Sequence, residues 1–152
     1  MEDLEDYKNG YQDIIEVLDG IGPEKIRCKS SPDSWSIHEI LVHLADTEIQ
    51  SHVRMRTILA DIPAIIMNHN EMAWSVVLRY RETGIDDALT IIKLMRRVNY
   101  KLLSTLENSE WEKQGIHSVR GIFSLQKCVS EYTEHLHQHI AQIQRNLKAF
   151  KQ

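Results

Sequence analysis

The chain has 152 residues, 42% hydrophobic and 26% charged, with a formal net charge of −4. Six Gly and three Pro are too few for the many turns of a sandwich or barrel, and too few for a disordered chain. The Lys and Arg residues form no basic block, which disfavours a nucleic-acid partner because phosphate binding depends on clustered cations. We therefore expect one globular domain, residues 1–152, with its own hydrophobic core.

Two features bear on the environment of the chain. The longest run without Asp, Glu, Lys or Arg is 135–144, well short of the roughly 20 residues that a membrane-spanning helix requires. The first residues are acidic, whereas a secretory signal begins with basic and then apolar residues. Cys28 and Cys128 form no C-x-x-C motif, and nothing in the sequence requires a disulfide between them. We expect a reduced, cytoplasmic protein with no membrane partner.

Hydrophobic periodicity predicts four long helices, and hence an all-α four-helix bundle. The first apolar stripe covers residues 4–18 and contains Gly10, which weakens a helix by up to about 1 kcal/mol relative to Ala. Ser36 followed three residues later by Glu39 has the spacing of a capping box, so the second helix begins there and runs to about Ala60.

The connection between the second and third helices is the least regular part of the pattern. This irregular pattern predicts a longer crossover over residues 61–83, in which 71–80 could form a short helix. The third helix is expected to begin near Thr83, whose hydroxyl can cap it, and to end near Asn108.

The last helix has the strongest apolar pattern in the chain. Ser124 is its expected N-cap, and its stripe continues to Phe150. Gly115 and Gly121 bracket a loop before it. No segment alternates apolar and polar residues long enough to require a sheet.

Eight histidines are the unusual number in the composition. His135 and His139 lie one turn apart on the apolar side of the last helix, and this spacing can present two imidazoles to one metal ion. His43 borders the apolar stripe of the second helix, so packing of the two helices would complete a three-histidine site with an open fourth position. The alternatives are hydrogen-bonded core residues and, for the run from His135 to His139, a solvated face.

The other histidines have no partner at ligand spacing. His137 is rotated by about 200° from its neighbours and should face solvent. His38 and His43 lie about 140° apart on their helix, so they cannot share one ion, and His38 is expected at the surface. We also expect surface positions, with the two loop residues free to overhang the site, for His52, His69 and His117.

The sequence contains no motif typical of a serine hydrolase or a nucleotide-binding site. There is no nucleophile elbow, Walker loop or G-x-G-x-x-G motif. Cys128 lies on an inner stripe, where a buried small hydrophobe is expected rather than a nucleophile.

Several sequence segments together resemble those of the DinB-like (DinB/YfiT) metal-binding four-helix-bundle family over most of the chain. The first is Trp35-Ser36-Ile37-His38-Glu39-Ile40 followed by His43-Leu44-Ala45-Asp46-Thr47-Glu48. The second includes Trp111-Glu112, Gly115, Gly121, Tyr132-Thr133-Glu134-His135 and His139-Ile140-Ala141-Gln142-Ile143. The family pattern is one His near H-L-x-D-x-E and a later H-x-x-x-H followed by Gln-Ile.

This resemblance implies a divalent ion, commonly zinc or nickel, that faces a pocket at one end of the bundle. It also implies a small-molecule substrate and a homodimer. Characterised members of the family include transferases that use bacillithiol, mycothiol or glutathione, and other members are described as metal-dependent hydrolases.

The hypothesis that follows is a metal-dependent enzyme. His43, His135 and His139 would bind the ion, which would acidify a bound low-molecular-weight thiol, for S-transfer to an electrophile, or a bound water, for hydrolysis. Asp46 and Glu48 could hold an imidazole N–H, or could face solvent. A metal that only ties helices together in a stress-response or binding bundle, and a metal-free bundle, are the alternatives. The pocket or the core would contain Trp74, Tyr80 and Trp111.

Overall fold

The computed structural model describes residues 2–149, and seven α-helices, one short 3-10 helix (Tyr80–Glu82) and three short strands lie in that range. The helices are α1 (Glu2–Leu18), α2 (Pro23–Arg27), α3 (Ile37–Ala60), α4 (Glu71–Val77), α5 (Ile85–Leu103), α6 (Asn108–Trp111) and α7 (Leu125–Ala149). The four long ones, α1, α3, α5 and α7, pack together, which confirms the predicted all-α four-helix bundle. Phe150, the expected end of the last stripe, lies outside the described residues.

The start of α3 follows the predicted capping box. Ser36 Oγ accepts the backbone N–H of Glu39 at 3.2 Å, and Glu39 Oε2 accepts the backbone N–H of Ser36 at 2.8 Å. Lys29 and Arg81 also contact the Glu39 carboxylate, at 3.2 and 3.0 Å. Burial alone would raise the pKa of Glu39, but these N–H groups and cations lower it to about 2. The cap is therefore a charged, fully bonded carboxylate at neutral pH.

The ends of α5 and the start of α7 test three further predictions. Ser124 caps α7 as expected, accepting the backbone N–H three residues later at 3.1 Å. Thr83 does not cap α5: the N-cap is Gly84, and it makes no side-chain capping hydrogen bond. The helix ends at Leu103 rather than near Asn108, where the separate short helix α6 begins.

A small sheet lies at one end of the bundle, although no segment of the sequence alternates long enough to require one. It consists of β1 (Ile65–Ile66), β2 (Gln114–His117) and β3 (Gly121–Ser124), with β1 parallel to β2 and β2 antiparallel to β3. A strand of two or four residues is too short to show alternation in the sequence. Gly115 is required by close packing, since a Cβ there would lie 3.0 Å from the Ala64 carbonyl oxygen.

The core holds one buried ion pair at the centre of the bundle. Arg96 and Glu48, 1% and 2% exposed, meet at 2.8 Å. Tyr7 donates its hydroxyl to the other Glu48 oxygen at 3.2 Å, and Arg96 donates to the backbone carbonyls of Tyr7 and Tyr132. Gly10 makes room for this guanidinium, because a Cβ there would lie 2.5 Å from Nη1 of Arg96. The glycine that weakens α1 locally therefore serves the packing of the core.

Both cysteines are free thiols. Cys28 is exposed and Cys128 is buried, as expected for a small hydrophobe. Burial raises the pKa of Cys128 to about 12, so its thiol is protonated at neutral pH.

None of the helices between residues 2 and 149 is both long enough and apolar enough to cross a bilayer. The run 135–144, which has no Asp, Glu, Lys or Arg, lies within α7 and carries histidines.

Candidate metal centre

Three imidazoles from two helices converge on one point. The Nε2 atom of His135 lies 3.3 Å from Nε2 of His43 and 3.2 Å from Nε2 of His139. His43 is buried in α3, and the other two rings are half-buried on α7. The structure thus brings together the three residues that helical periodicity selected, and it directs the same nitrogen of each ring to the shared point.

The spacing of these nitrogens suits a tetrahedral ion. Nitrogen ligands lie about 2.1 Å from zinc, so two of them on a tetrahedral centre are about 3.4 Å apart. The Nε2 atom of His135 lies 3.2 and 3.3 Å from its two neighbours, close to that value. Three imidazoles leave one position of the tetrahedron free, as in catalytic rather than closed structural sites.

Burial also prepares the rings for a metal, because only neutral imidazoles are ligands. Burial, with the charge of the two neighbouring imidazoles, lowers the pKa of His43 to about 2. Burial, with the charges of His139, His69 and Arg96, lowers the pKa of His135 to about 4, and burial lowers that of His139. The rings therefore keep their lone pairs available at neutral pH, and the residues present fit a divalent ion.

Contacts behind the rings fix their orientation. His139 Nδ1 lies 2.9 Å from Gln142 Oε1, and since a carbonyl oxygen only accepts, Nδ1 carries the proton and Nε2 the lone pair. Trp35 packs on two of the rings, 4.8 Å from His43 and 6.3 Å from His139 between ring centroids. The sequence patterns did not predict this position of Trp35 against the rings.

Two histidines predicted at the surface are buried, and neither joins the site. His38 is 2% exposed because its Nε2 donates to the Thr83 carbonyl oxygen at 2.7 Å, which ties α3 to the chain before α5. His117 is 2% exposed at the end of β2, where its Nδ1 accepts two backbone N–H groups of the following turn. Both predictions were wrong because tertiary contacts cover positions that local pattern leaves open.

The other histidines are partly exposed. His52 bonds Asn99, Nδ1 to Oδ1 at 2.9 Å. His137 faces α1, where its Nε2 lies 3.6 Å from carboxylate oxygens of both Asp6 and Asp13. Ligand atoms of His137, Asp6 and Asp13 all lie within 4.8 Å of one another, so these residues form a second, exposed cluster.

Asp46 and Glu48 were suggested as hydrogen-bond partners of an imidazole N–H, and their positions in the structure differ from that suggestion. Both Glu48 oxygens are engaged by Arg96 and Tyr7, so within the described residues Glu48 contacts no site imidazole. Asp46 is half-buried near Tyr80, whose pKa is raised by burial and further by this carboxylate.

The crossover between α3 and α5 covers one side of the three imidazoles. His69 and Glu71 come from this segment, and the Glu71 carboxylate lies 3.9 Å from Nε2 of His43. Arg54 of α3 donates to His69 Nδ1 at 3.4 Å. A cavity of about 100 Å³ beside His135 is lined by these residues and by Thr47, Glu131 and Tyr132.

The aromatic residues suggested for the pocket divide between pocket and core. Trp74 contacts the His69 ring, with centroids 4.9 Å apart. Tyr80 is buried against Trp35, and Trp111 packs on the core cluster at the sheet end of the bundle. The involvement of Glu71 had no sequence signal, because a carboxylate in an unassigned crossover has no periodicity to place it.

Comparisons with known proteins agree with this architecture. The sequence model of the DinB superfamily matches residues 6–143. "Putative metal-dependent hydrolase YfiT" of Bacillus subtilis (strain 168) is 26% identical over 110 residues, which cover 72% of this chain and 62% of the relative. A protein of Oceanobacillus iheyensis, also named a "Putative metal-dependent hydrolase", is 21% identical over 144 residues, covering 92% of this chain and 83% of its own.

The match to the B. subtilis relative thus spans less than two thirds of that protein's length. The solved structure of YfiT, described as "a probable metal-dependent hydrolase with an unusual four-helix bundle topology", matches with a TM-score of 0.90. This match covers 99% of this chain and 86% of the other at 18% identity, and so shows a shared fold. Because the family match extends over residues 6–143, the chain belongs to the DinB superfamily.

Proposed function

We propose that this protein is a metal-dependent hydrolase whose divalent ion is held by His43, His135 and His139. The observation that carries the proposal is the convergence of the three imidazoles, in which Nε2 of His135 lies from the Nε2 atoms of His43 and His139 at about the spacing of ligands on one tetrahedral ion. The names of the two relatives point to the same class of activity.

The chain's own residues have defined tasks in this proposal. A divalent ion held by the three histidines would supply Lewis acidity, which would lower the pKa of a water or thiol bound at the fourth position toward neutrality. Gln142 keeps the proton of His139 on Nδ1, and therefore keeps Nε2 free as a ligand. Trp35 covers two of the rings and excludes water from that side.

We propose a small-molecule substrate, because the cavity beside His135 has a volume of only about 100 Å³. Water is our preferred nucleophile, since the relatives carry hydrolase names. S-transfer by a low-molecular-weight thiol remains a prediction from family resemblance, as do zinc or nickel as the native metal and a homodimeric assembly. A screen with and without added thiol distinguishes the two nucleophiles.

Two alternatives predict different behaviour of the purified protein. If the metal only ties α3 to α7, chelation lowers thermal stability but no metal-dependent turnover is found. If the three imidazoles are ordinary core residues, the protein contains no stoichiometric metal and chelators leave its stability unchanged.

The test is the metal content of the His139→Ala variant, measured by elemental analysis after gel filtration. We expect about one ion per chain in the wild type and a loss of stoichiometric metal in the variant, with loss of any metal-dependent hydrolysis. His137→Ala is the matched control, since His137 lies on the same helix but faces α1. Full retention of metal by His139→Ala would show that the three-histidine site is not the binding site.

A further inference from the structure

We propose that Glu71 is a displaceable fourth ligand, so that the resting ion has three nitrogen donors and one carboxylate oxygen. The inference rests on the proposed function and deepens it. Incoming water or substrate would replace a protein ligand at the fourth position rather than enter an open one. The Glu71 carboxylate therefore occupies that position until it is displaced.

The position of the carboxylate carries the inference. Glu71 Oε2 lies 3.9 Å from Nε2 of His43, the nitrogen that faces the shared point. Ligands on a tetrahedral ion are about 3.4 Å apart, so this oxygen would approach His43 by about half an ångström, and the other two rings by more, to reach ligand distance. Glu71 and His135 also line the same cavity, so the carboxylate lies near a ring from each of the two helices.

Neighbouring residues direct Glu71 toward the site. Its second oxygen, Oε1, lies 3.8 Å from Nε2 of His69. Arg54 can only donate, so its contact with His69 Nδ1 at 3.4 Å leaves the proton of the neutral ring on Nε2, facing Glu71. Asn70 caps α4 by accepting the backbone N–H of Ala73 at 3.0 Å, which fixes Glu71 as the first helical residue.

The electrostatics of the site favour a carboxylate here. Three neutral imidazoles leave both charges of a divalent ion uncompensated in a partly buried site, and such a charge is costly without a partner. One carboxylate at the fourth position halves that charge. Glu131, the other acidic residue of the cavity, is instead paired with Arg120 at 2.7 Å and with Lys127 at 3.9 Å.

The attachment of α4 makes this ligand easy to displace. The Glu71 side chain is 45% exposed, and no residue of α4 is buried. Met72, Val76 and Val77 are 65–75% exposed, so few apolar contacts hold the helix in place. Segments with few buried contacts open at low free-energy cost, whereas the histidines lie on the two longest helices.

The experiment compares Glu71→Ala and Glu71→Gln with the wild type and with Glu131→Gln, which removes the charge of the paired carboxylate. Zn²⁺ affinity is measured by competition with a chromophoric chelator, and Co²⁺ serves as the spectroscopic probe of coordination. We expect both Glu71 variants to bind about one Zn²⁺ with affinity reduced about tenfold or more. We also expect their Co²⁺ spectra to change, and acetate to restore the wild-type spectrum of Glu71→Ala. Glu131→Gln should keep the Zn²⁺ affinity and the Co²⁺ spectrum of the wild type.

Unchanged Zn²⁺ affinity and Co²⁺ spectra in both Glu71 variants, with metal binding lost in His139→Ala, would overturn the fourth-ligand inference alone. Retention of metal in His139→Ala would instead overturn the three-histidine site, and the inference with it. Because Glu71 lies on a half-exposed helix end, neither substitution disturbs the core.

Discussion

Gln142 Oε1 accepts the Nδ1 proton of His139 at 2.9 Å, one turn along α7 from the converging Nε2 atoms. This hydrogen bond selects the tautomer that leaves Nε2 free, and such partners increase the basicity of a ligand. Gln142→Leu should therefore weaken Zn²⁺ binding by about 10- to 100-fold without abolishing it. Affinity measured by chelator competition checks this outcome.

The matched control for that variant is Gln138→Leu on the same helix. Gln138 is exposed and bonds Glu134 at 3.1 Å, away from the three rings. It should leave the Zn²⁺ affinity unchanged. Equal affinities for both Gln variants and the wild type would show that the Gln142 contact does not tune the site.

The buried Arg96–Glu48 pair predicts a large effect on stability and none on the metal stoichiometry. Removing one partner leaves a buried charge uncompensated, which typically costs about 3–5 kcal/mol. Arg96→Met should lower the free energy of unfolding by that amount in urea denaturation. If Arg96→Met still folds, it should keep about one ion per chain, and a folded variant that loses its metal would contradict the purely structural role.

Gly10 gives a prediction opposite in sign to helix propensity. Ala at an exposed helical position stabilises by up to about 1 kcal/mol relative to Gly. At Gly10, however, the new Cβ would lie 2.5 Å from Nη1 of Arg96 and 3.0 Å from Leu136. We expect Gly10→Ala to unfold at a lower temperature than the wild type, whereas Asn9→Ala, on the exposed side of α1, should be neutral or slightly stabilising. A stabilised Gly10→Ala would contradict the packing of Arg96.

The capping box predicts an acid-dependent stability. The pKa of Glu39 is about 2 in the folded protein against an ordinary 4.5, so the unfolded chain binds the proton more readily. The contribution of the carboxylate is then complete above pH 4.5 and is lost as the pH falls toward 2. Glu39→Gln should be less stable than the wild type at pH 7, and the difference should shrink between pH 4.5 and 2 in urea unfolding. A difference independent of pH would contradict a charged cap.

Periodicity and cap chemistry were sufficient to predict the four long helices and the three converging histidines. Both are local signals: the i, i+4 spacing of His135 and His139 places them on one helical face, and Ser36 with Glu39 marks the start of α3. The packing of α3 against α7 then follows from their apolar stripes. The shared point could be predicted because every residue in it lies on a regular helix.

The remaining features depend on contacts between segments distant in sequence. Glu71 and His69 reach the site from a crossover whose course no repeat reveals, and the sheet is built from strands too short to alternate visibly. His38 and His117 are buried by contacts that a local pattern does not contain. Glu48 illustrates the same limit, because its partner Arg96 lies on another helix.

Anomalous diffraction at the zinc absorption edge, from crystals of the zinc-loaded protein, tests the central claim most directly. We predict one strong peak about 2.0–2.1 Å from the Nε2 atoms of His43, His135 and His139. A peak only at the exposed cluster of Asp6, Asp13 and His137, or no peak near the three imidazoles, would contradict the claim.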